Sequence, residues 1–502
     1  MLPLGQAALF KMNHRLSAVY LALGLTQSMT AAPQPSGPQT DGAFRKVILV
    51  SDRDTDGDKE TEDTLKDPME LSVARDGRVF YVQRNGEVLF WNPKTNKTTR
   101  IGTIPVFTGL EDGLLGLTLD PDFDSNNHLY LFYASPNTVT EFVGGKARKK
   151  GYNLVSRFTL KGGAIDMASE KEMIRIKTQR DECCHSGGSL AFDGKGNLYA
   201  SVGDNTNPFA SDGYAPIDEQ PGRFAWDAQK SSANPNDLRG KILRVTPQPD
   251  GSIKIPEGNL FANAEKDARS EVYVMGNRNP YRISIDSRNG FLYWGEVGPD
   301  AGGRRDNRGP AGYDEINQAR VAGNFGWPLF IANNKPYHNY DFEKKQSGEP
   351  FVPAGPVNDS PHNTGIQQLP PAQPAFIYYA HFPSVRWQTL NAGGGRTAMA
   401  GPVYYFDGKL DSPTKLPKQY DHSLFIYEWS RNWIIKVQLD ENENQTKMER
   451  FCPNMTFKRP MDMELGPDGC LYLIEWGTAW GKNQDTQIVR IEHHLDAQTA
   501  SK

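Results

Sequence analysis

Asp76-Gly77-Arg78-Val79-Phe80-Tyr81-Val82 is a tight-turn dipeptide followed by a run of β-branched and aromatic residues. A run of this kind after an Asp-Gly turn is typical of a β-hairpin. Similar stretches begin at Asn126, Gly196, Asn289, Asp421 and Asp468. Six similar hairpin units with irregular insertions predict one all-β domain, a six-bladed β-propeller. The alternative, a pair of β-sandwiches, is favoured less because it does not require six similar units.

Polar and glycine residues follow several of these strands, as in Gly203-Asp204-Asn205, Gly298-Pro299 and Gly477-Thr478. In a propeller, such segments can gather at one mouth of the central channel. Three long insertions also interrupt the repeats, at 134–151, 205–239 and 326–393. Since long loops usually carry function, we predict that these insertions lie over the active-site face.

The composition excludes some classes of partner. The chain has 502 residues, with 56 basic and 60 acidic side chains and a net charge of -4. This balance gives no electrostatic reason to expect nucleic acid or an anionic membrane as a partner. The 48 glycines and 35 prolines indicate many turns and short strands rather than long helices.

The first residues have the layout of a secretory signal. The weakly basic Asn13-His14-Arg15 is followed by an apolar run at 16–25 and then by the small residues Thr30-Ala31-Ala32. This run is too short to span a bilayer, and no later segment has the length of a membrane helix. We therefore expect a secreted or periplasmic protein that starts at Met12; a disordered tail is the alternative. The predicted boundaries are 1–32 for the signal peptide, 33–67 for a linker and first strand region, 68–494 for the propeller and 495–502 for a tail.

The four cysteines fit an oxidising compartment. A disulfide between Cys452 and Cys470 could close a loop, which would be worth roughly 3 kcal/mol of stability. Cys183 and Cys184 are adjacent, so they form either a strained vicinal disulfide or a pair of thiols. A metal site at this pair is favoured less, because no second Cys/His pair lies at zinc spacing.

Two stretches contain candidate catalytic or binding residues. His185 lies in the small-residue turn Cys183-Cys184-His185-Ser186-Gly187-Gly188, and a neutral imidazole there could accept a proton near pH 7. Arg278-Asn279-Pro280 places a planar cation beside an amide, a pair suited to carboxylate and carbonyl groups. Each has a structural alternative, a hydrogen-bonded histidine in the first case and a surface salt bridge in the second.

Gly298-Pro299 could expose two adjacent backbone carbonyls, which are suitable ligands for calcium. A tight turn without a metal is the structural alternative for this dipeptide.

An ordered set of motifs resembles the soluble PQQ-dependent sugar dehydrogenases of the glucose/sorbosone dehydrogenase type, which are six-bladed propellers. The resemblance runs from about Pro68 to Arg490. The motifs are Gly113-Leu114-Leu115-Gly116, Asp120-Pro121-Asp122-Phe123, His185-Ser186-Gly187-Gly188, Leu238-Arg239-Gly240-Lys241-Ile242-Leu243-Arg244, Gly276-Asn277-Arg278-Asn279-Pro280, Gly298-Pro299, Asp314-Glu315-Ile316-Asn317 and Asn324-Phe325-Gly326-Trp327-Pro328.

The resemblance implies specific roles. His185 matches the general base that takes the substrate hydroxyl proton while hydride passes to the quinone. Arg278 and Asn279 match a pair that touches the PQQ cofactor, with Arg278 placed to stabilise the quinone oxygen that gains charge. Gly298 and Pro299 match carbonyl ligands of the calcium ion that binds PQQ.

Three more residues are expected to contact the cofactor: Glu111, Asn205 and Arg459. The chain also departs from the family pattern. Cys184 stands where an acidic residue precedes the histidine, and Met461 stands in place of a second arginine near Arg459. A family lysine has no secure match, because the nearby stretch offers Asp407, with Lys409 two residues further on. Lys458 could substitute for the missing arginine, and Arg396 is a spare cation that could compensate for the loss.

Three functions follow from the sequence. The first is an exported PQQ- and calcium-dependent dehydrogenase that oxidises a sugar or polyol and passes electrons to an external quinone or cytochrome. The second is a calcium-dependent propeller lactonase, which would require carboxylate and amide side chains around its metal. The third is a non-catalytic carbohydrate-binding propeller.

Overall fold

The computed structural model describes residues 39–52, 65–143, 146–264, 266–391, 394–481 and 483–494. The predicted signal peptide and C-terminal tail lie outside these residues. Among the described residues, no helix combines the length and the apolar character needed to cross a membrane.

Six β-sheets of the described residues are arranged as the blades of a propeller, which confirms the predicted fold class, and two further sheets have two strands each. The first half of the chain contains β1 (Gln39–Asp41), β2 (Phe44–Ser51), β3 (Pro68–Val73), β4 (Val79–Gln83), β5 (Glu87–Asn92), β6 (Lys97–Thr103), β7 (Leu114–Leu119), the one-turn helix α1 (Phe123–Asn126), β8 (His128–Ala134), β9 (Val139–Val143), β10 (Lys146–Lys161), β11 (Ala164–Gln179), β12 (Gly187–Phe192), β13 (Leu198–Val202), β14 (Lys241–Pro247), β15 (Ile253–Lys254) and β16 (Val272–Met275).

The second half continues in the same way. It contains β17 (Pro280–Ile285), β18 (Leu292–Glu296), β19 (Asp314–Ala319), β20 (Gly323–Asn324), β21 (Phe330–Ile331), β22 (Lys335–Pro336), β23 (His338–Asp341), β24 (Gln346–Pro350), β25 (Ile377–Tyr379), β26 (Ala398–Tyr404), β27 (Ser423–Glu428), β28 (Trp433–Leu439), β29 (Gln445–Arg450), β30 (Pro460–Leu465), β31 (Leu471–Glu475) and β32 (Gln487–His493). Short 3-10 turns lie at Phe224–Trp226, Ala228–Lys230, Gln388–Leu390 and Lys418–Tyr420.

Each blade has four antiparallel strands, and in the first five blades these strands come in chain order. From first to fourth strand, the blades are β3-β4-β5-β6, β7-β8-β10-β11, β12-β13-β14-β16, β17-β18-β19-β25, β26-β27-β28-β29 and β30-β31-β32-β2. The six repeats found in the sequence are the second strands of these six blades, namely β4, β8, β13, β18, β27 and β31. These strands are rich in apolar residues because both of their faces are buried against neighbouring blades.

The sixth blade combines the two ends of the chain. Strand β2 pairs with β32 along seven residue pairs, so the ring is closed by strands from opposite ends of the sequence. The range 33–67, interpreted from sequence as a linker and first strand region, therefore contains a strand of the propeller, and the sheet begins before Pro68.

The two cysteines proposed to close a loop do not pair. Cys452 and Cys470 are both buried as free thiols. Cys452 follows the outermost strand of blade 5, whereas Cys470 precedes β31 in blade 6, where its sulfur lies 3.2 Å from the carbonyl oxygen of Thr414. Their short separation in sequence did not predict that they belong to different blades.

A cavity of about 520 Å³ lies at the end of the channel where the first strands of the blades terminate. Its lining includes the carboxyl groups of Glu70, Asp462 and Glu464. Burial raises the pKa of Glu464 from 4.5 to about 8, although its Oε2 accepts a hydrogen bond from the backbone N–H of Val73 at 2.6 Å. This carboxyl group is therefore protonated in the folded protein at neutral pH.

In Glu464→Gln, the free energy of unfolding is expected to fall less between pH 5 and pH 8 than it does in wild type. Below about pH 4.5 the carboxyl group is protonated in both the folded and the unfolded chain, and between 4.5 and about 8 only the unfolded chain releases the proton. The wild-type free energy of unfolding therefore falls as the pH rises through this range. Glutamine keeps an oxygen for Val73 and can donate to the Ser72 hydroxyl, 3.5 Å from the carboxylate. Denaturant unfolding at pH 5 and at pH 8 measures the free energy of unfolding of both proteins. An equal decrease in wild type and in Glu464→Gln would contradict the raised pKa of Glu464.

Candidate active site

The other end of the channel is where the first strands begin and the second strands end. Residues just before the first strands and just after the second strands therefore meet there. His185 precedes β12, Arg278 and Asn279 precede β17, and Arg459 precedes β30. Asp204 follows β13. This end of the channel is referred to below as the mouth.

A buried histidine–aspartate pair lies at the mouth. His185 Nδ1 is 2.8 Å from Asp204 Oδ1, and the two residues are 6% and 0% exposed. The second carboxylate oxygen, Oδ2, accepts a hydrogen bond from Trp327 Nε1 at 2.9 Å. Because a carboxylate only accepts hydrogen bonds, His185 carries its proton on Nδ1 and presents Nε2 as a proton acceptor. The pair is thus arranged as a general base with an orienting carboxylate.

Glycines allow the His185 turn to pack closely against the following strand. His185 itself has a positive φ of 146°, and Gly187 after it has a φ of 65°. A Cβ atom at Gly203 would lie 2.9 Å from the Cβ of His185, which is closer than real side chains approach. Glycine at this position lets the end of β13 bring Asp204 alongside the imidazole.

Arg278 and Asn279 are fixed by a buried carboxyl group. Glu296 Oε1 accepts hydrogen bonds from the backbone N–H groups of both residues, at 2.6 and 2.7 Å. Burial, reinforced by the nearby Glu315, raises the pKa of Glu296 well above its ordinary value. The carboxyl group thus fixes the backbone of both residues from a buried position, where burial disfavours its charged form.

The same segment is joined to the histidine pair. Asp204 N–H donates to the carbonyl oxygen of Arg278 at 2.8 Å, and Asn279 Oδ1 accepts a hydrogen bond from Gly187 N–H at 3.1 Å. The Arg278 guanidinium is 4% exposed and donates from Nη1 to the carbonyl oxygen of Val297 at 3.0 Å. A fixed cation and a general base thus belong to one hydrogen-bonded unit that spans blades 3 and 4.

The two carbonyls predicted to bind calcium differ in availability. The carbonyl oxygen of Pro299 accepts a hydrogen bond from Arg396 Nη2 at 2.7 Å. Arg396 is 8% exposed, so the guanidinium occupies this position from within the fold. Pro299 therefore does not fit the role of a metal ligand in this structure, because its carbonyl already has a cationic donor. Gly298 donates from its N–H to Asp314 Oδ1 at 3.1 Å, which leaves its carbonyl as the remaining candidate ligand.

Two of the three further predicted cofactor contacts have other partners. Asn205 Oδ1 accepts hydrogen bonds from Gln179 N–H at 2.8 Å and from Arg239 Nη1 at 3.1 Å, so this side chain braces the turn after β13. The Arg459 guanidinium lies over the rings of Trp429, Trp480 and Trp476, at 4.5, 5.1 and 5.6 Å from their centroids. This arginine supplies a positive charge on an aromatic surface at the mouth.

Glu111 is exposed and lies beside the cysteine pair, with Oε1 3.9 Å from Cys183 Sγ. The sulfur atoms of Cys183 and Cys184 are placed as a vicinal disulfide. Sulfurs bonded to each other are not thiolate ligands, so this group of three residues does not form a metal site in that state.

The sequence did not identify the partners of the predicted residues. Asp204 was visible as a polar residue after a strand, and Trp327 as part of a motif, but neither was connected to His185. The signal for Asp204 was its place at the end of a second strand, where the polar residues of a propeller converge. Glu296 could not have been found in this way, because a glutamate in an apolar strand gives no sign of its two backbone partners.

Comparison with known proteins agrees with this fold. Residues 65–394 match the family described as glucose/sorbosone dehydrogenase. Aldose sugar dehydrogenase YliI of Escherichia coli (strain K12) is 29% identical over 420 residues, which cover 82% of this chain and 88% of that protein. Quinoprotein glucose dehydrogenase B of Acinetobacter calcoaceticus is 23% identical over 505 residues, covering 94% and 95%.

Two solved structures show the same fold. The apo form of the soluble aldose sugar dehydrogenase of Escherichia coli superimposes with a TM-score of 0.56 at 20% identity, covering 90% of this chain and 100% of that one. The PQQ-bound form of aldose sugar dehydrogenase from Streptomyces coelicolor gives a TM-score of 0.51 at 18% identity, covering 90% and 99%.

The fold and the site define a six-bladed propeller enzyme with a buried histidine–aspartate pair and a fixed arginine at the mouth of its channel. The chain belongs to the glucose/sorbosone dehydrogenase family, and it is an oxidoreductase.

Proposed function

We propose that this protein is an exported PQQ-dependent dehydrogenase that oxidises a sugar or related polyol and passes the electrons to an external quinone or cytochrome. The observation that carries the proposal is the His185–Asp204 pair, hydrogen-bonded through the backbone to Arg278. The matched relatives named as sugar dehydrogenases support the substrate class. Export is supported by the layout of the first 32 residues.

The cationic groups of the mouth suit a cofactor with several carboxylates. Arg278 is buried, and its Nε has no hydrogen-bond partner among the described residues. A buried guanidinium N–H of this kind is costly unless it is paired, which favours an anionic or carbonyl ligand at this position. Arg459 is the second cation available for a carboxylate. Glu111 and Asn279 remain proposed contacts.

The chemistry divides between the cofactor and the chain. PQQ, when bound, supplies the quinone that accepts the hydride. His185 Nε2 removes the proton of the substrate hydroxyl group, and Asp204 stabilises the positive charge that the imidazole gains. Arg278 provides a fixed positive charge where negative charge accumulates, so little reorganisation is needed during the reaction.

The two alternative functions have less support. A calcium-dependent lactonase would require side-chain oxygens around a metal in the channel. The buried carboxylate beside the Gly298–Pro299 turn is engaged, since Asp314 accepts hydrogen bonds from Gly298 N–H at 3.1 Å and from Ala398 N–H at 2.9 Å. Asp300, which follows the turn, is 67% exposed and lies 3.8 Å from Arg278 Nη2. A non-catalytic sugar-binding propeller would leave the oriented His185–Asp204 pair without a role.

Titration of the purified protein with PQQ tests the proposal. Saturable binding followed by absorbance, together with dye reduction that depends on an added aldose, is the expected result. Calcium and a chelator are compared in parallel. A protein that binds no PQQ under either condition would contradict the proposal, and hydrolysis of a lactone in the same preparation would favour the alternative enzyme.

A further inference from the structure

Two buried arginines bind the backbone on both sides of Gly298. The carbonyl oxygen of Val297 accepts a hydrogen bond from Arg278 Nη1 at 3.0 Å, and that of Pro299 accepts one from Arg396 Nη2 at 2.7 Å. The two guanidinium groups come from blades 4 and 5 and converge on one three-residue turn. This turn is the segment that was expected to hold a calcium ion.

We propose that the Arg396 guanidinium takes the place of calcium as the fixed positive charge at the Gly298–Pro299 turn, so that this chain binds PQQ without a metal ion. The inference rests on the proposed function, because it concerns the anchoring of the same cofactor. The positive charge that balances the carboxylates of the cofactor then comes from the Arg396 side chain.

The first argument is the competition for ligand atoms. Calcium takes six to eight oxygen ligands at about 2.3–2.6 Å and depends on carbonyl groups that point freely at the ion. The Pro299 carbonyl instead bonds a guanidinium whose side chain is 2% exposed. A calcium ion on the same oxygen would lie within a few ångströms of a charge of the same sign, which is unfavourable in a buried site.

The second argument is the lack of space around this contact. A Cβ atom on Gly312 would overlap the Pro299 carbonyl oxygen and lie 3.1 Å from Arg396 Nη2. The backbone at Gly312 therefore closes the space beside the carbonyl and the guanidinium. The Arg396 guanidinium and the Gly312 backbone thus occupy two sides of the Pro299 carbonyl oxygen, which leaves less room for a metal ion there.

The third argument is the hydrogen-bonding capacity that Arg396 keeps. Its Nη1 lies 3.7 Å from Asp314 Oδ1, so the charge is partly balanced, but Asp314 is already bonded to two backbone N–H groups. Neither Nε nor Nη1 of Arg396 has a hydrogen-bond partner among the described residues. The guanidinium is thus held in place by Pro299 and Asp314 and still has N–H donors for a carboxylate.

The test compares wild type with Arg396→Met, a substitution that keeps the length of the side chain and removes its charge. Arg304→Met is the matched control, because Arg304 is 77% exposed, lies five residues from Pro299 and has no contact with its carbonyl. Binding of PQQ is measured by equilibrium dialysis with EGTA and with calcium. Uptake of radioactive calcium is measured in the same proteins without PQQ.

Wild type and Arg304→Met are expected to bind PQQ with dissociation constants that differ less than about threefold between EGTA and calcium, whereas Arg396→Met loses at least about tenfold in EGTA. Added calcium restores binding in Arg396→Met, and this variant takes up about one more equivalent of calcium than either other protein. A wild type whose PQQ affinity falls about tenfold or more in EGTA would overturn the inference, as would an Arg396→Met variant that behaves like Arg304→Met.

The calcium measurement separates the two proposals. If no protein binds PQQ, the proposed function fails, but a calcium equivalent gained only by Arg396→Met would still show that the guanidinium holds the cation position. If PQQ binds and wild type already takes up one equivalent that Arg396→Met does not exceed, the function stands and the inference is wrong.

Discussion

Replacing His185 with alanine is expected to lower kcat for sugar oxidation by about 10²- to 10⁴-fold, while PQQ binding stays within about threefold of wild type. The imidazole is the proton acceptor of the buried pair. Its hydrogen-bond partner at 2.8 Å is Asp204 and not a cationic group of the mouth. Its removal therefore takes away the base and leaves the cofactor's counter-charges in place. Steady-state dye reduction and equilibrium dialysis of PQQ are the two measurements.

His422→Ala is the matched control for this variant. His422 also bonds a carboxylate, with Nε2 2.9 Å from Glu443 Oε2, but it lies in the turn before β27, at the end of the channel away from the mouth. Its kcat is expected to stay within about twofold of wild type. Wild-type turnover in His185→Ala would contradict the proposed dehydrogenase mechanism. If wild type and His185→Ala bind sugar equally well and neither turns it over, the non-catalytic sugar-binding propeller would be favoured.

Lys46→Met is expected to lower the free energy of unfolding by about 3–5 kcal/mol. Lys46 lies on β2, and its Nζ is 3.0 Å from Glu475 Oε1 on β31, with side chains that are 2% and 0% exposed. Burial lowers the pKa of Lys46, and the contact with Glu475 opposes that shift. Removing the ammonium group leaves the Glu475 carboxylate buried without its cation, which is the costly way to break such a pair.

Denaturant unfolding of Lys46→Met and two further variants checks this expectation. Adding Glu475→Gln should recover more than half of the loss, because the neutral amide removes the uncompensated charge and keeps an acceptor for Lys458 N–H. Lys344→Met is the control, since the Lys344–Asp341 pair is 2.8 Å apart but its side chains are 66% and 37% exposed. This variant should lose far less stability than Lys46→Met, because a solvated ion pair contributes little. Equal losses in Lys46→Met and Lys344→Met would show that the buried pair does not stabilise the closed ring.

The fold could be predicted because its signal repeats. Each second strand is buried on both faces and entered through a tight turn, so the same short pattern appears six times at positions such as Val79 and Leu471. The closing strand could not be found in this way. Strand β2 has no turn pattern of that kind, and its partner β32 lies more than four hundred residues away.

The histidine and the charged residues of the site could be predicted from the sequence, but most of their hydrogen-bond partners could not. His185 and Arg278 stand in unusual glycine- and proline-containing turns, and these turns are recognisable in the sequence. The Arg396–Pro299 contact depends on how blades 4 and 5 pack. A backbone carbonyl looks the same in sequence whether a guanidinium or a metal ion binds it, so the proposed calcium ligands could not be tested from sequence alone.

The closure of blade 6 also sets an order of events during synthesis. Strand β2 leaves the ribosome early, but β32 follows it by more than four hundred residues, which takes about 20 to 90 s at about 5–20 residues per second. During that interval the nascent chain carries an unpaired strand edge, a surface prone to pairing with other chains. A chain cut short before β31 would keep this edge permanently, so the five earlier blades would remain attached to an open strand edge that is prone to aggregation.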